Sequence, residues 1–208
     1  MFGRKHKDDI RDRKFRIRRT SSDRNSRYWG SRWHGDQGAN SSCVGFAWSH
    51  WLNCSPIAQN LYPEGIYNLA QLIDEWEGED YDGTSVRAAA KILSGLGFIK
   101  EYRWSWTLPP VIDTVLEHGP VVVGTHWFEG MLQLNKEGFI VPTGDIVGGH
   151  AYLLDGVNRA KEKFRIKNSW GTDWGNKGRA WISFKDLRSL ITDDGEVCLG
   201  IEQKPKPK

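Results

Sequence analysis

The sequence of 208 residues contains few of the residues that crosslink or anchor a protein. Its three cysteines, at positions 43, 54 and 198, cannot all pair in disulfides because their number is odd. We therefore expect a reducing compartment, or a fold that does not depend on disulfides. No run of about 18 apolar residues occurs, so no membrane span is predicted. The first residues are basic without an apolar stretch behind them, so we predict no secretory signal and a cytoplasmic or virus-associated location.

The sequence also lacks the common patterns of metal and phosphate sites. It contains no Cys-x2-Cys pair and no His-Glu-x-x-His, and its cysteines and histidines are widely scattered. It contains no Gly-x4-Gly-Lys-Ser/Thr loop either. We therefore predict neither a metal nor any other cofactor.

Basic residues are concentrated near the beginning of the chain. Residues 1–33 contain twelve Lys/Arg and four Asp, a net charge of +8, whereas the whole chain has a net charge of only +3. Residues 1–28 are therefore interpreted as a flexible or loosely docked basic arm. Such an arm could bind an acidic partner or nucleic acid, but a solubilising or packing extension explains it equally well. Residues 204–208 form a charged tail.

Helical patterns come first in the remaining sequence and strand patterns follow. Helices are predicted at 43–52, 84–94 and 110–117 from capping residues, periodicity and glycine stops. Short β-rich segments after Pro120 predict strands at 121–126, 138–141, 150–154, 163–167 and 179–184. This order predicts the α+β class, with two packed lobes.

Cys43 is the candidate nucleophile because it lies at or just inside a predicted helix N-terminus. Unpaired N–H groups and the helix dipole favour a thiolate there, and the thiolate is the nucleophilic form. A cysteine early in a helix can equally be a small core residue, so this feature alone decides nothing. Gln37, six residues upstream, adds a side-chain amide that could donate to the same oxyanion as the Cys43 backbone N–H.

His150 and Asn168 complete the candidate catalytic group. Gly148-Gly149-His150-Ala151 places His150 where a loop enters a strand, and Asn168 ends the following predicted strand. If these two strands are neighbours in a hairpin, Asn168 can bond one imidazole nitrogen while the other faces Cys43.

Together these motifs resemble those of the papain-like cysteine peptidases over roughly residues 33–201. Gln37 to Cys43 matches the family's Gln-x5-Cys element, and residues 149–151 match its Gly-His-Ala strand. Residues 168–175, Asn-Ser-Trp-Gly-Thr-Asp-Trp-Gly, match the family's Asn-Ser-Trp-Gly-x-x-Trp-Gly element in full. The four elements occur in the family's chain order. The missing half-cystines suggest a bacterial or viral type of member without the usual disulfides.

The resemblance implies a papain-like two-lobe fold over residues 29–203. A helical lobe of about 29–110 would pack on an antiparallel β-barrel-like lobe of about 111–203, with the site in the cleft between them. It also implies that Trp170 shields the Asn168–His150 hydrogen bond, and that the small residues of the cleft line a pocket for the side chain two residues before the cut, which we expected to be apolar. The residues implied in substrate binding are Gly83, Thr84, Gly124, Gly149, Ala151, Trp170 and Trp174.

The predicted function is thiol-dependent hydrolysis of peptide bonds in a protein or peptide substrate, through an acyl-enzyme intermediate. Two alternatives remain open from the sequence. The same site could serve an isopeptidase or another acyltransferase, or the fold could be a non-catalytic structural or binding protein. The basic arm could also lie in the cleft as a short latency peptide.

Overall fold

The computed structural model describes residues 2–76 and 81–202. The charged tail at 204–208, and the beginning of the cleft segment predicted from residue 79, lie outside the described residues.

Five α-helices are present, and three of them confirm the helices predicted from the sequence. The α-helices are α1 (Cys43–Asn53), α2 (Pro63–Gln71), α3 (Val86–Gly95), α4 (Leu108–Glu117) and α5 (Phe184–Thr192) in the described part of the chain. Proline in the first turn of α2 and α4 fits the helix start because those N–H groups have no intrahelical partner. The Ser85 side chain caps α3 by accepting the Ala88 N–H. The sequence patterns missed α2 and α5.

Nine strands accompany these helices, and seven of them form one sheet. The strands are β1 (Arg4–Lys5), β2 (Ser26–Tyr28), β3 (Thr84–Ser85), β4 (Ile99–Ser105), β5 (Val121–Phe128), β6 (Ile146–Asn158), β7 (Lys163–Lys167), β8 (Arg179–Ser183) and β9 (Glu196–Glu202). The sheet order is β4-β9-β5-β6-β7-β8, with β2 also paired to β6. All its pairings are antiparallel. The α+β class is confirmed, although no pairing within residues 2–76 and 81–202 closes the sheet into a barrel.

Two predicted details of the sheet differ from the structure. Residues 138–141 do not form a strand, since only a single bridge joins Phe139 to Trp181. Strand β4 lies within the range expected for the helical lobe, yet it pairs with β9 in the sheet. The chain therefore enters the sheet before α4, and the sequence order of helices and strands does not separate the two layers.

Helix α1 is the buried element that positions the candidate nucleophile. Ten of its eleven residues are buried, and it packs on α2 and on strand β6. Its tryptophans are anchored at their polar ends, because the indole N–H of Trp48 donates to Val86 O and that of Trp51 donates to Pro120 O, each at 3.1 Å. The helix start is thus held against β6, the strand that contains His150.

The basic arm is packed against the body along much of its length. Strand β1 pairs in parallel with β3, and β2 pairs with β6. Between these strands, Asp9 and Asp12 both pair with the buried guanidinium of Arg87. Its own arginines also find acidic partners within this chain, as Arg19 does in Asp113 and Arg4 in Glu196.

Candidate active site

Cys43 is the first residue of α1 and is fully buried. The preceding residue, Ser42, occupies the N-cap position without a capping hydrogen bond from its side chain in the described structure. Burial raises the pKa of the Cys43 thiol, while the backbone amides of Ala151 and Gly3 act in the opposite direction. The predicted helix N-terminus is therefore present, but the thiol is the favoured form while the site is closed to water.

His150 and Asn168 meet as the strand pattern predicted. Strand β6 contains His150, β7 is its hairpin neighbour, and Asn168 directly follows β7. The His150 Nε2 atom lies 2.7 Å from Asn168 Oδ1. The other ring nitrogen, Nδ1, is buried and has no hydrogen-bond partner among the described residues. Because Asn168 Oδ1 is an acceptor, the arrangement favours a proton on Nε2 and leaves Nδ1 as the basic nitrogen.

Aromatic rings enclose His150. Its ring centroid lies 4.8 Å from that of Trp127, 5.0 Å from that of Trp170 and 5.9 Å from that of Phe2. Burial lowers the pKa of His150 to about 4, against the raising effect of the Asn168 hydrogen bond. Cys43 and His150 are thus both held neutral in this state, since water is excluded from the two groups.

Gln37 is buried and connects the loop before α1 to the end of β7. Its Oε1 accepts from the Ser169 hydroxyl at 2.6 Å, and its Nε2 donates to Asn40 O at 2.5 Å. Its backbone N–H also donates to Ser169 O at 2.8 Å. These bonds fix the side-chain amide a few residues before the helix start.

The arm passes through the candidate cleft at Gly3. The Gly3 N–H donates to Gly149 O at 3.1 Å, and Gly3 O accepts from Thr84 N–H at 2.8 Å. A Cβ atom on residue 3 would lie 1.7 Å from Ser41 O. Only glycine therefore fits this point of the arm without a shift of the backbone.

The other glycines predicted to bind substrate lie against the same segment of the arm. A Cβ atom would lie 2.3 Å from Gly3 O if added at Gly83, and 2.2 Å from Arg4 O if added at Gly149. At Gly124 it would lie 2.9 Å from Arg4 Nε. The glycines thus line a channel that accepts a polypeptide backbone at close range, as expected of a substrate cleft.

The two predicted tryptophans lie in sequence beside the catalytic group. Trp170 contacts the His150 ring, and its own ring packs edge-on against Trp174 at 5.5 Å between centroids. The Trp174 indole N–H donates to Leu132 O at 3.0 Å. Trp170 is therefore placed to cover the His150–Asn168 bond, while Trp174 supports Trp170 from behind.

Three residues at the site were missed by the sequence patterns. Trp127 had been assigned to the core, yet its ring contacts His150. Strand alternation carried a usable signal, because Thr125 pairs with His150 and Trp127 lies two residues further on the same strand. Asp194 and Glu196 gave no local signal, since they reach the cleft only through the pairing of β9 with β5.

Among the described residues, no helix is long and apolar enough to cross a membrane. All three cysteines are unpaired and buried.

Comparisons with known proteins agree with this geometry. Residues 101–194 match the papain family cysteine protease profile. A cysteine protease of Blomia tropicalis is 26% identical over 140 residues, which cover 65% of this chain and 38% of that protein. An uncharacterised peptidase C1-like protein of Acanthamoeba polyphaga mimivirus is 25% identical over 199 residues, covering 72% of this chain and 64% of that protein. The chain thus spans less than two thirds of the length of these two relatives.

The fold is shared with solved structures along nearly the whole chain. Xylellain, a cysteine protease from Xylella fastidiosa, superposes with a TM-score of 0.80 at 18% identity, covering 98% of this chain and 96% of that chain. The procathepsin B S9 structure from Trypanosoma congolense has a TM-score of 0.69 at 12% identity, covering 98% of this chain and 87% of that chain. These comparisons confirm the resemblance predicted from the sequence motifs.

Proposed function

We propose that this chain, a papain-like cysteine peptidase by fold and by sequence similarity, is an endopeptidase that uses Cys43, His150 and Asn168. The observation that carries the proposal is the hydrogen bond from His150 to Asn168. It orients the imidazole so that an unpartnered basic nitrogen is left in the buried site at the start of α1. A nucleophile, a base and an orienting residue are the three parts that such catalysis needs.

In the proposed reaction, proton transfer from Cys43 to His150 gives a thiolate and an imidazolium. The sulfur attacks the carbonyl carbon of the substrate, and the carbonyl electrons move to the oxygen. The Gln37 side-chain amide and the Cys43 backbone N–H would donate to this oxyanion. When the oxyanion collapses, the C–N bond breaks and His150 protonates the leaving amine. Water, deprotonated by His150, then hydrolyses the thioester and restores the Cys43 thiol.

The arm would keep this reaction latent. Gly3 and Phe2 occupy the space beside Cys43 and His150 in which a substrate would have to lie. Their presence also supports the neutral state of both groups, because burial is the largest cause of the pKa shift of each. Displacement of the first few residues would admit water and substrate and favour the ion pair.

A few basic side chains on the arm are candidates for an outside partner. Arg16 and Arg18 are exposed, and an acidic partner or nucleic acid for them stays a prediction. The cytoplasmic or virus-associated location is likewise a prediction; similarity to a mimivirus protein is compatible with the second.

The test is cleavage of denatured casein by the reduced full-length protein and by variants at each cysteine. We expect Cys43→Ala to abolish cleavage, whereas Cys54→Ala and Cys198→Ala retain it. Because the arm would slow the reaction, each variant is also made with Gly3→Ala. Equal cleavage by Cys43→Ala would reject the proposal. Addition of an amine acceptor distinguishes hydrolysis from acyl transfer, because a transpeptidase would give acceptor-linked products. The non-catalytic alternative predicts no cleavage by any protein in the set.

A further inference from the structure

Arg4, on the arm, is buried in an acidic pocket of the cleft. Only 2% of its side-chain surface is exposed. Its Nε donates to Glu196 Oε1 at 3.3 Å, its Nη1 to Asp194 Oδ2 at 3.1 Å and its Nη2 to Asp194 O at 2.6 Å. Three of the four atom groups that can donate from a guanidinium fork are thus identified with an acceptor in one pocket.

The geometry of these contacts suits arginine better than lysine. The Nε and Nη1 atoms of one planar fork contact two different carboxylates, those of Glu196 and Asp194. An ammonium is a compact point charge without this spread of donors. A lysine in the same place would satisfy one carboxylate more readily than both.

Glu196 makes the pocket costly to occupy with an apolar group. Its residue is 4% exposed, so its carboxylate has little access to water. Burial raises the pKa of Glu196, while Arg4 and His6 lower it. An apolar occupant would leave this buried carboxylate without its cation, or would force it to take up a proton.

The pocket is deep because the strand opposite Glu196 carries a glycine. Gly124 on β5 pairs with Glu196 on β9. A Cβ atom at residue 124 would lie 3.2 Å from Arg4 Cγ and 3.1 Å from Glu196 Oε1. The missing side chain therefore leaves the space through which the long arginine stem reaches the carboxylate.

The pocket adjoins the candidate catalytic strand. Gly124 also pairs with Ala151, the residue after His150, and Arg4 O lies against Gly149, the residue before it. We propose that this pocket selects arginine in substrates, with Glu196 as the specificity-determining residue and Asp194 as its second carboxylate. The inference rests on the proposed peptidase function. It replaces the apolar preference expected from the small residues alone.

Arg4 then acts as the arm's occupant of a substrate pocket. The competing view is that the pocket serves only to hold the arm and has no part in substrate choice. The two views differ once the arm is displaced, because only a substrate pocket would go on to distinguish basic from apolar peptides.

The test uses the full-length Gly3→Ala protein and four fluorogenic peptides. They differ only in the residue two positions before the scissile bond, which is Arg, Lys, Leu or Phe. Casein cleavage sites are mapped by mass spectrometry in parallel. We expect kcat/KM for the Arg peptide to exceed that for the Leu peptide by at least about tenfold, with Lys between them.

The matched variants are Glu196→Gln and Glu202→Gln, which remove one carboxylate each from the same strand. Glu196→Gln should abolish most of the preference for arginine while leaving cleavage of the Leu peptide nearly unchanged. Glu202→Gln should retain the preference. If Glu196→Gln does not fold, Asp194→Asn provides the second variant and should reduce the preference partially.

The outcomes separate the two proposals. Cleavage of peptides or casein without a preference for arginine, or with a preference that Glu196→Gln leaves intact, overturns the specificity inference and spares the peptidase function. Failure to cleave any peptide and casein alike overturns the peptidase function and the specificity inference together.

Discussion

Gly3 passes so close to Ser41 that a side chain on residue 3 would collide with the backbone of the loop before α1. The distance from a Cβ atom at residue 3 to Ser41 O would be 1.7 Å, which no real contact allows. The arm can therefore lie in the cleft only because residue 3 is glycine. This single position controls access to Cys43 without itself belonging to the catalytic group.

The first prediction concerns release of the arm. Gly3→Ala should raise the initial rate of peptide cleavage at least about tenfold, which corresponds to a shift of about 1.4 kcal/mol in the docking equilibrium. The matched control is Gly30→Ala, because a Cβ atom there meets no heavy atom within 4 Å. Initial rates of the two variants and of the wild type are compared at one protein concentration. Equal rates for all three would show that the arm does not limit access.

The second prediction concerns the orientation of His150. Asn168→Ala removes the acceptor of the 2.7 Å hydrogen bond, so the ring can turn and its basic nitrogen loses its position. We expect kcat to fall by part of the roughly 10²- to 10⁴-fold that a positioned acid–base group contributes, with KM little changed. Asn158→Ala, at the far end of β6, should leave kcat unchanged. A fall in KM-dependent binding alone would assign Asn168 to substrate contact instead.

The third prediction concerns Gln37 as an oxyanion donor. Gln37→Ala should lower kcat by about 10²- to 10³-fold if its amide donates to the transition state. Because Gln37 also accepts from Ser169, a structural effect must be separated from a catalytic one. Ser169→Ala removes that hydrogen bond and leaves the Gln37 amide in place. An equal loss of kcat in the two variants would mean that Gln37 acts only by holding the loop.

The fourth prediction concerns stability at acidic pH. Burial lowers the pKa of His34 to about 4, that of His150 to about 4, and that of His50 well below its ordinary value. The unfolded chain takes up these protons as the pH falls below 6.5, whereas the folded protein does not until about pH 4. Stability should therefore be lost between pH 6.5 and 4, at about 1.4 kcal/mol per pH unit for each histidine.

The measurement is the free energy of unfolding in urea across this pH range. His50 accepts a hydrogen bond from Gly35 N–H at 3.0 Å, which a glutamine oxygen could also accept. His50→Gln should therefore make the slope shallower by about one proton. His118→Gln, at the exposed end of α4, should retain the wild-type slope. A slope that His50→Gln leaves unchanged would contradict this explanation of acid sensitivity.

Local motifs were enough to predict the catalytic elements. The glycines before His150 and the Asn-Ser-Trp-Gly run after β7 have fixed spacing within a hairpin, so two neighbouring strands bring His150 and Asn168 together. Cys43 was likewise predicted at a helix start, because serines precede a run of apolar residues. In each case the information lies within about ten residues of the chain.

Contacts between distant segments could not be predicted in this way. Arg4 and Glu196 are 192 residues apart, and neither position carries a motif. Their meeting depends on the pairing of β9 with β5 and on the path of the arm through the glycine channel. The character of the pocket therefore changed from apolar to acidic once the structure placed Glu196 beside Gly124.

The most direct test of the proposed mechanism is the identity of the cysteine that reacts with a peptidyl vinyl sulfone. The reduced Gly3→Ala protein is labelled at neutral pH, digested and mapped by mass spectrometry. We predict a single adduct on Cys43, formed much more slowly in His150→Ala, with Cys54 and Cys198 unmodified. An adduct distributed over all three cysteines, or a rate on Cys43 that His150→Ala does not change, would contradict the catalytic role assigned to the pair.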